Sequence, residues 1–269
     1  MRPWILALAC GALVVCGPSW AEGSRSSGST KSLSAAAADP TEPLIQMTTD
    51  NDVVLSNRGG QGASHQFLLQ PVIPLPAYES FAVGQIIRPT IPIVTSPGPD
   101  RESGLGDISL FDIFLPERFS WGALGIGPVL VFPSATDDRL GDGKWQVGPA
   151  AAIIYEAIPH LQLGVIVQNP ISFAGNNDRE SVNQMTLQPI AQYNLPKGWY
   201  VSMGDLEWTI DWKSGGKPTI PVALQLGRVL PIFGQQWNLA IEPFYVAVHD
   251  GPSPRWGIRF GIGLLLPEN

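Results

Sequence analysis

Ten side chains could shape an electrostatic site in this sequence: Arg88, Asp107, Glu156, Asp205, Glu207, Asp211, Glu242 and Arg259, with the amides Gln188 and Gln192. Around several of them polar and apolar residues alternate. Leu206, Trp208, Ile210 and Trp212 alternate with Asp205, Glu207 and Asp211, and Met185, Leu187 and Tyr193 alternate with Gln184, Gln188 and Gln192. Such a period of two puts successive side chains on opposite faces of a strand. Three carboxylates on one face could make a cation-selective wall or offer hard oxygen ligands to Ca²⁺. Arg88 and Arg259 neutralise them instead if the fold brings the strands together. Two uses of this polar face stay open: a constriction that selects solutes, and a paired network that plugs an interior.

Hydrolytic chemistry has weaker support. The histidines are His65, His160 and His249, and His249 shares a short stretch with Asp250 and Ser253. A nucleophilic serine needs a base within hydrogen-bond reach and a group orienting that base, and three residues crowded into one loop do not supply this geometry. No G-x-S-x-G elbow occurs. Asp137, Asp138 and Asp142 cluster with Gly141 and Gly143, but their spacing does not fit the 12-residue calcium loop, and Asp and Gly are ordinary turn residues. The Gly-rich stretches at 59–62 and 122–127 do not follow the phosphate-binding pattern before a helix and suit loops and crowded strands. No catalytic residue, metal or cofactor is expected.

The elements carrying these residues are strands. Charged residues make up 14% and hydrophobic ones 44%, too apolar for an ordinary secreted domain, yet after the N-terminus no run of 18 apolar residues exists for a membrane helix. A barrel alternating lipid-facing and lumen-facing residues resolves the tension. Residues 1–21 read as a cleaved secretory signal, with Arg2, an apolar stretch over 4–15 and Ser19-Trp20-Ala21. Both cysteines, Cys10 and Cys16, lie within it, leaving no thiol for a disulfide, a zinc site or a nucleophile. Beyond it the chain keeps 15 basic and 23 acidic residues, a net charge of −8 that argues against nucleic acid as a partner. Residues 22–42, rich in Ser and Ala, are expected to be a disordered tail, and 43–269 the barrel.

An aliphatic-proline step recurs at Leu75-Pro76, Leu115-Pro116, Ile158-Pro159, Leu195-Pro196, Leu230-Pro231 and Leu266-Pro267, at intervals of 35 to 43 residues, one hairpin per period. Longer polar connections lie between these steps. Short turns at one end and longer loops at the other predict an all-β fold: an antiparallel transmembrane up-and-down β-barrel of about 12 strands in the bacterial outer membrane, with the proline steps in the periplasm. Trp121, Trp145, Trp199, Trp212, Trp237 and Trp256 fall at strand ends, as interfacial girdle residues do. In the last strand Trp256, Ile258, Phe260, Ile262, Leu264 and Leu266 should meet lipid, with Gly257, Arg259, Gly261 and Gly263 on the lumen side. Against the pattern, Pro71, Pro89, Pro128, Pro149, Pro189 and Pro243 fall inside proposed strands, where each removes a ladder donor.

The series Gly104-Leu105-Gly106-Asp107-Ile108, Gly127-Pro128, Phe132-Pro133-Ser134-Ala135-Thr136-Asp137, Leu140-Gly141, Lys144-Trp145 and Gly148-Pro149 resembles the bacterial outer-membrane barrels labelled neuromedin-U-like, relatives of barrels found with phenol-degradation pathways. Gln70-Pro71-Val72-Ile73-Pro74, Gly198-Trp199-Tyr200, Asp211-Trp212 and Trp256-Gly257-Ile258-Arg259-Phe260 extend the resemblance from about residue 39 to the C-terminus. It implies a transport role for a small, aromatic or otherwise apolar solute. The barrel reading makes outer-membrane lipid an expected partner, the Asp137, Asp138 and Asp142 loop suits lipopolysaccharide bridged by a divalent cation, and Arg259-x-Gly261-x-x-Leu264-x-Leu266 resembles the C-terminal signal read by the barrel-insertion machinery. The ending Leu266-Pro267-Glu268-Asn269 departs from the terminal aromatic common among barrels. A plugged structural or adhesive barrel and a lipid-modifying barrel enzyme are the competing readings.

Overall fold

The computed structural model of the chain describes residues 31–59, 62–75, 83–98, 101–116 and 118–267. The expected signal at 1–21, the first part of the expected tail and Pro76 lie outside the described residues.

Among these residues twelve antiparallel strands close into one barrel. They are Ile45–Asn57, Ser64–Leu75, Gly84–Thr95, a fourth in two pieces (Ser103–Leu105 and Ile108–Leu115), Gly122–Phe132, Lys144–Ile158, a seventh in two pieces (Leu161–Gln168 and Ile171–Gly175), Gln184–Asn194, a ninth (Trp199–Ser202 and Trp208–Asp211), a tenth (Lys217–Ala223 and Gln225–Ile232), Gln235–Val248 and Pro254–Leu266. Each pairs with its sequence neighbour, and the first pairs with the twelfth from Ile45↔Leu266 to Asn57↔Pro254, which leaves no free edge. That closing pair puts the start of the first strand and the finish of the last at one end of the barrel, called here the terminal end. The Pro116, Pro159, Pro196, Pro231 and Pro267 steps lie there, and the longer connections lie at the loop end.

The faces follow the sequence. Trp256, Phe260, Ile262 and Leu266 are exposed on the outer surface, while Gly257, Arg259 and Leu265 are buried inward. The six girdle tryptophans sit at strand ends. Trp121 stacks on Phe119 at 5.1 Å and on Tyr155 at 6.5 Å, Arg228 lies over Trp199, and Trp212 donates to Asn169 Oδ1 at 2.7 Å.

The mid-strand prolines coincide with places where the ladder is open. No pairs form between Leu69↔Ile91 and Ile73↔Ile87, which is where Pro71 and Pro89 stand opposite each other. Between Phe111↔Val129 and Phe114↔Ile126 the ladder lapses beside Pro128. The seventh strand breaks after Gln168, beside Pro149, whose carbonyl accepts from Asn169 N at 3.0 Å. Pro189 faces the break in the ninth strand, and the Pro243 carbonyl accepts from Leu224 N at 3.4 Å at the break in the tenth. A missing donor costs little where the neighbouring strand already bends away.

The expected disordered tail needs correction over its described part. Ser32 caps a helix, Leu33–Ala38, by accepting from Ala35 N at 3.2 Å. Leu33, Ala36 and Ala37 pack on Leu44, Val229 and Leu265, so the segment occupies the terminal mouth of the barrel. A six-residue helix has no independent stability, so this one depends on the interior it docks against.

Candidate functional site

The interior is divided. Ile86, Phe111, Ile113, Val129, Ala150, Ala152 and Ile166 form a buried apolar cluster inside the barrel, joined by Val72, Leu115 and Ile190. Glycines let the neighbouring fourth and fifth strands approach closely there. A Cβ at Gly127 would overlap the Asp112 carbonyl oxygen, and one at Gly125 would lie 2.8 Å from Ile113 Cδ1. The alternation places these residues inward without showing that they touch one another across a closed barrel. The polar lumen inferred from sequence is therefore only part of the interior.

A cavity of about 800 Å³ remains, bordered by Ser34, Asp39 and Pro40 towards the terminal end and by Pro97, Pro252 and Ser253 towards the loop end. Arg88, Asp107, Gln188, Gln192, Asp205, Glu207 and Arg259 line it, and so do Asp50 and Asp52 of the first strand, which the sequence reading missed. Their signal was available, since Thr48, Asp50 and Asp52 share the parity of Gln46 and Val54. Leu68, Val72, Ile86, Phe111, Ile166 and Ile190 make its apolar wall.

The arginines do not neutralise the ninth-strand carboxylates by direct ion pairs, contrary to one of the uses drawn from sequence. Arg259 is bidentate to Asp52, Nε to Oδ1 at 2.6 Å and Nη2 to Oδ2 at 2.8 Å. Arg88 lies over the Phe111 ring at 5.0 Å, and its Nε has no hydrogen-bond partner. The expected single face shared by Asp205, Glu207 and Asp211 is also interrupted, because residues 203–207 leave the ladder. Asp205 and Glu207 are exposed to the cavity, whereas Asp211 accepts from Lys213 N at 2.8 Å in the turn at the loop end.

Three other predicted lumen residues have different surroundings. Glu242 is 0% exposed and lies behind residues 203–207. Asp107 also holds the loop at 134–142, accepting from Ala135 N at 3.1 Å and Asp142 N at 2.6 Å. Glu156 is at the terminal end, in a network with Lys31 and Arg118. There Lys31 Nζ reaches Asp39 at 2.5 Å and Glu42 at 3.0 Å, and Arg118 reaches Asp39 at 3.0 Å and Glu42 at 2.8 Å. Gln162 and Gln192 donate to the carbonyls of Ala35 and Ser34 at 3.2 and 3.0 Å, and the Ser34 hydroxyl donates to Asn194 Oδ1 at 2.8 Å. Burial pushes the Asp39 carboxyl up, but the Lys31 charge and hydrogen bonds from Lys31 and Thr41 outweigh it and hold the group below its ordinary value. Lys31 is shifted the other way. Burial lowers it, but Asp39 and Glu42 prevail and raise it.

The loop-end groups are engaged separately. Asp137 pairs with Arg139, and Asp142 accepts from Gln146 at 3.0 Å. His249 Nδ1 is 3.2 Å from the Gly251 carbonyl, Asp250 pairs with Lys217 at 3.1 Å, and the Ser253 hydroxyl is buried without a partner. His65 meets Asn51 at 2.7 Å.

Two solved structures share this architecture. An outer membrane channel from Pseudomonas putida F1 superposes with a TM-score of 0.61 at 12% identity, over 83% of this chain and 96% of that one. The fold is that of outer-membrane barrels. The NanC porin gives a TM-score of 0.51 at 11% identity, over 83% of this chain and all of the other. Neither a protein-family model nor a curated protein matches the sequence.

Proposed function

We propose that the protein is an outer-membrane channel that passes a small, partly apolar solute and prefers cations to anions. The observation that carries this is the cavity between the terminal helix and the loop end, where Asp50, Asp52, Asp205 and Glu207 outnumber Arg88 and Arg259 beside an apolar wall. Charges inside a barrel favour a wet passage, and their sign sets ionic preference. The likeness to a channel and a porin supports the fold on which this rests. The motif series supports kinship with the neuromedin-U-like barrels and an aromatic solute, while an outward apolar belt suits outer-membrane lipid and lipopolysaccharide. Cleavage of residues 1–21 and delivery to the barrel-insertion machinery belong to the same proposal. The separate engagement of His249 and Asp250 argues against a hydrolase.

The test is single-channel recording of the refolded barrel in a planar bilayer under a KCl gradient, with a heat-shift gel to establish folding. Discrete steps and a cation-preferring reversal potential support the proposal, and anion preference overturns its charge assignment. The helix in the terminal mouth favours a second reading, a closed structural barrel. That reading gains if a folded protein shows no steps even after residues 22–42 are removed.

A further inference from the structure

The ninth strand carries its acids on a face that the rest of the strand does not predict. Tyr200 and Ser202 are buried inward, so an unbroken strand would send 204 and 206 inward and turn Asp205 and Glu207 towards lipid. Instead the register runs from Gln192↔Ser202 to Leu187↔Trp208, which sets the five residues 203–207 against the four residues 188–191. On the other side it runs from Ser202↔Gln225 to Thr209↔Thr219, again with one residue in excess. This is a β-bulge, and a one-residue shift flips every side chain beyond it. Thr209 beyond the bulge accordingly lines the cavity, and within the bulge Asp205, Leu206 and Glu207 line it too.

Register alone requires an extra residue somewhere in the strand but does not say where. The position is marked by a buried polar cluster. Glu242 Oε2 accepts the Asp205 backbone N–H at 3.2 Å. Gln225 Nε2 bridges Glu242 Oε2 at 3.1 Å and Asp205 Oδ2 at 3.0 Å, and the Ser202 hydroxyl accepts from Gly204 N at 3.1 Å. Gly204 has φ +88°, and a Cβ there would overlap Glu242 Oε1, so only glycine fits beside the carboxylate.

We propose that Glu242, buried and outside the cavity lining, is a positioning residue that pins the bulge at 203–207 and thereby keeps Asp205 and Glu207 in the lumen, setting the ionic selectivity of the passage. The placement of the two acids stands by itself, while its effect on selectivity rests on the channel reading above.

Two measurements separate these claims. In full-length protein with Cys10→Ala and Cys16→Ala, a Glu207→Cys thiol should react rapidly with a charged, water-soluble methanethiosulfonate, while Met203→Cys, on the outer surface, reacts slowly. Adding Glu242→Leu should lower the Glu207→Cys rate towards the Met203→Cys rate, and Glu242→Gln, which keeps an acceptor oxygen for Asp205 N, should restore it. Gly204→Ala should act like Glu242→Leu and serves if that variant does not fold on the heat-shift gel. Unchanged labelling in the leucine or alanine variant overturns the proposal, as does failure of glutamine to rescue, which would assign the effect to charge alone. Reversal potentials of the variants without the introduced cysteines should lose cation preference in the same order. If labelling follows the expected order while reversal potentials do not, the positional role stands and the channel reading fails.

Discussion

Replacing Asp39 by asparagine should loosen the helix in the terminal mouth without touching the barrel wall. The Asp39 side chain is 0% exposed and receives Lys31 Nζ at 2.5 Å, Arg118 Nη2 at 3.0 Å, and Thr41 N and Oγ1 at 2.7 and 2.5 Å. The asparagine oxygen can keep the Thr41 contacts, but two cations lose a charge between them. Removing one partner of a fully buried pair costs about 3–5 kcal/mol. Lys31 and Arg118 are 22% and 42% exposed and both retain Glu42 and Glu156, so water and the remaining acids offset part of the loss. A net cost of about 2 kcal/mol follows, which raises the population of the displaced helix roughly thirtyfold at about 1.4 kcal/mol per factor of ten. The assay is the fraction of recording time spent at the conductance of a variant lacking residues 22–42. If that deletion raises conductance while Asp39→Asn leaves the dwell times of the native protein unchanged, the ionic network does not hold the helix.

The same network predicts a pH dependence. A carboxyl held below its ordinary value of 3.8 contributes stability present above 3.8 and lost as pH falls through the lowered value, and Lys31 contributes stability present below 10.5 and lost as pH rises through its raised value. Helix displacement, read by protease cleavage within residues 31–42, should therefore be flat through neutral pH and increase only at those extremes; a transition centred near neutrality would refute it. Arg259→Leu should lower barrel stability by about 3–5 kcal/mol by leaving Asp52 buried without its cation, seen as a lower heat-shift temperature, with Asp52→Leu/Arg259→Leu recovering part of the loss. Ile113→Ala, at a side chain 0% exposed in the apolar cluster, should cost about 2–5 kcal/mol in a urea titration of the folded barrel in micelles; a loss below 1 kcal/mol would mean that side of the interior is hydrated.

The architecture was legible because a barrel is written locally. Strand faces follow from a period of two, and turn chemistry marks where the chain reverses, so the last strand and the alternation of short turns with longer loops could be read residue by residue. The prolines show where local reading stops. Pro71 and Pro89 are each unfavourable within a strand, and only their opposition across one open stretch of ladder explains why the sheet tolerates them. The tail failed for a similar reason. A short Ser/Ala-rich stretch has no periodic signal, and its helix exists because Gln162, Gln192 and Asn194 wait inside the barrel for its polar groups.

By itself the sequence determined a closed barrel with an outward-facing apolar belt and the inward or outward sense of most side chains, because those depend on neighbours along the chain. The tertiary structure decided which inward residues meet. Barrel closure set Asp52 against Arg259, left Arg88 over Phe111, gathered one side of the interior into a buried apolar cluster and put Glu242 behind the bulge. Those pairings depend on register and curvature summed around twelve strands, and a one-residue shift in the ninth strand changes which face its acids reach.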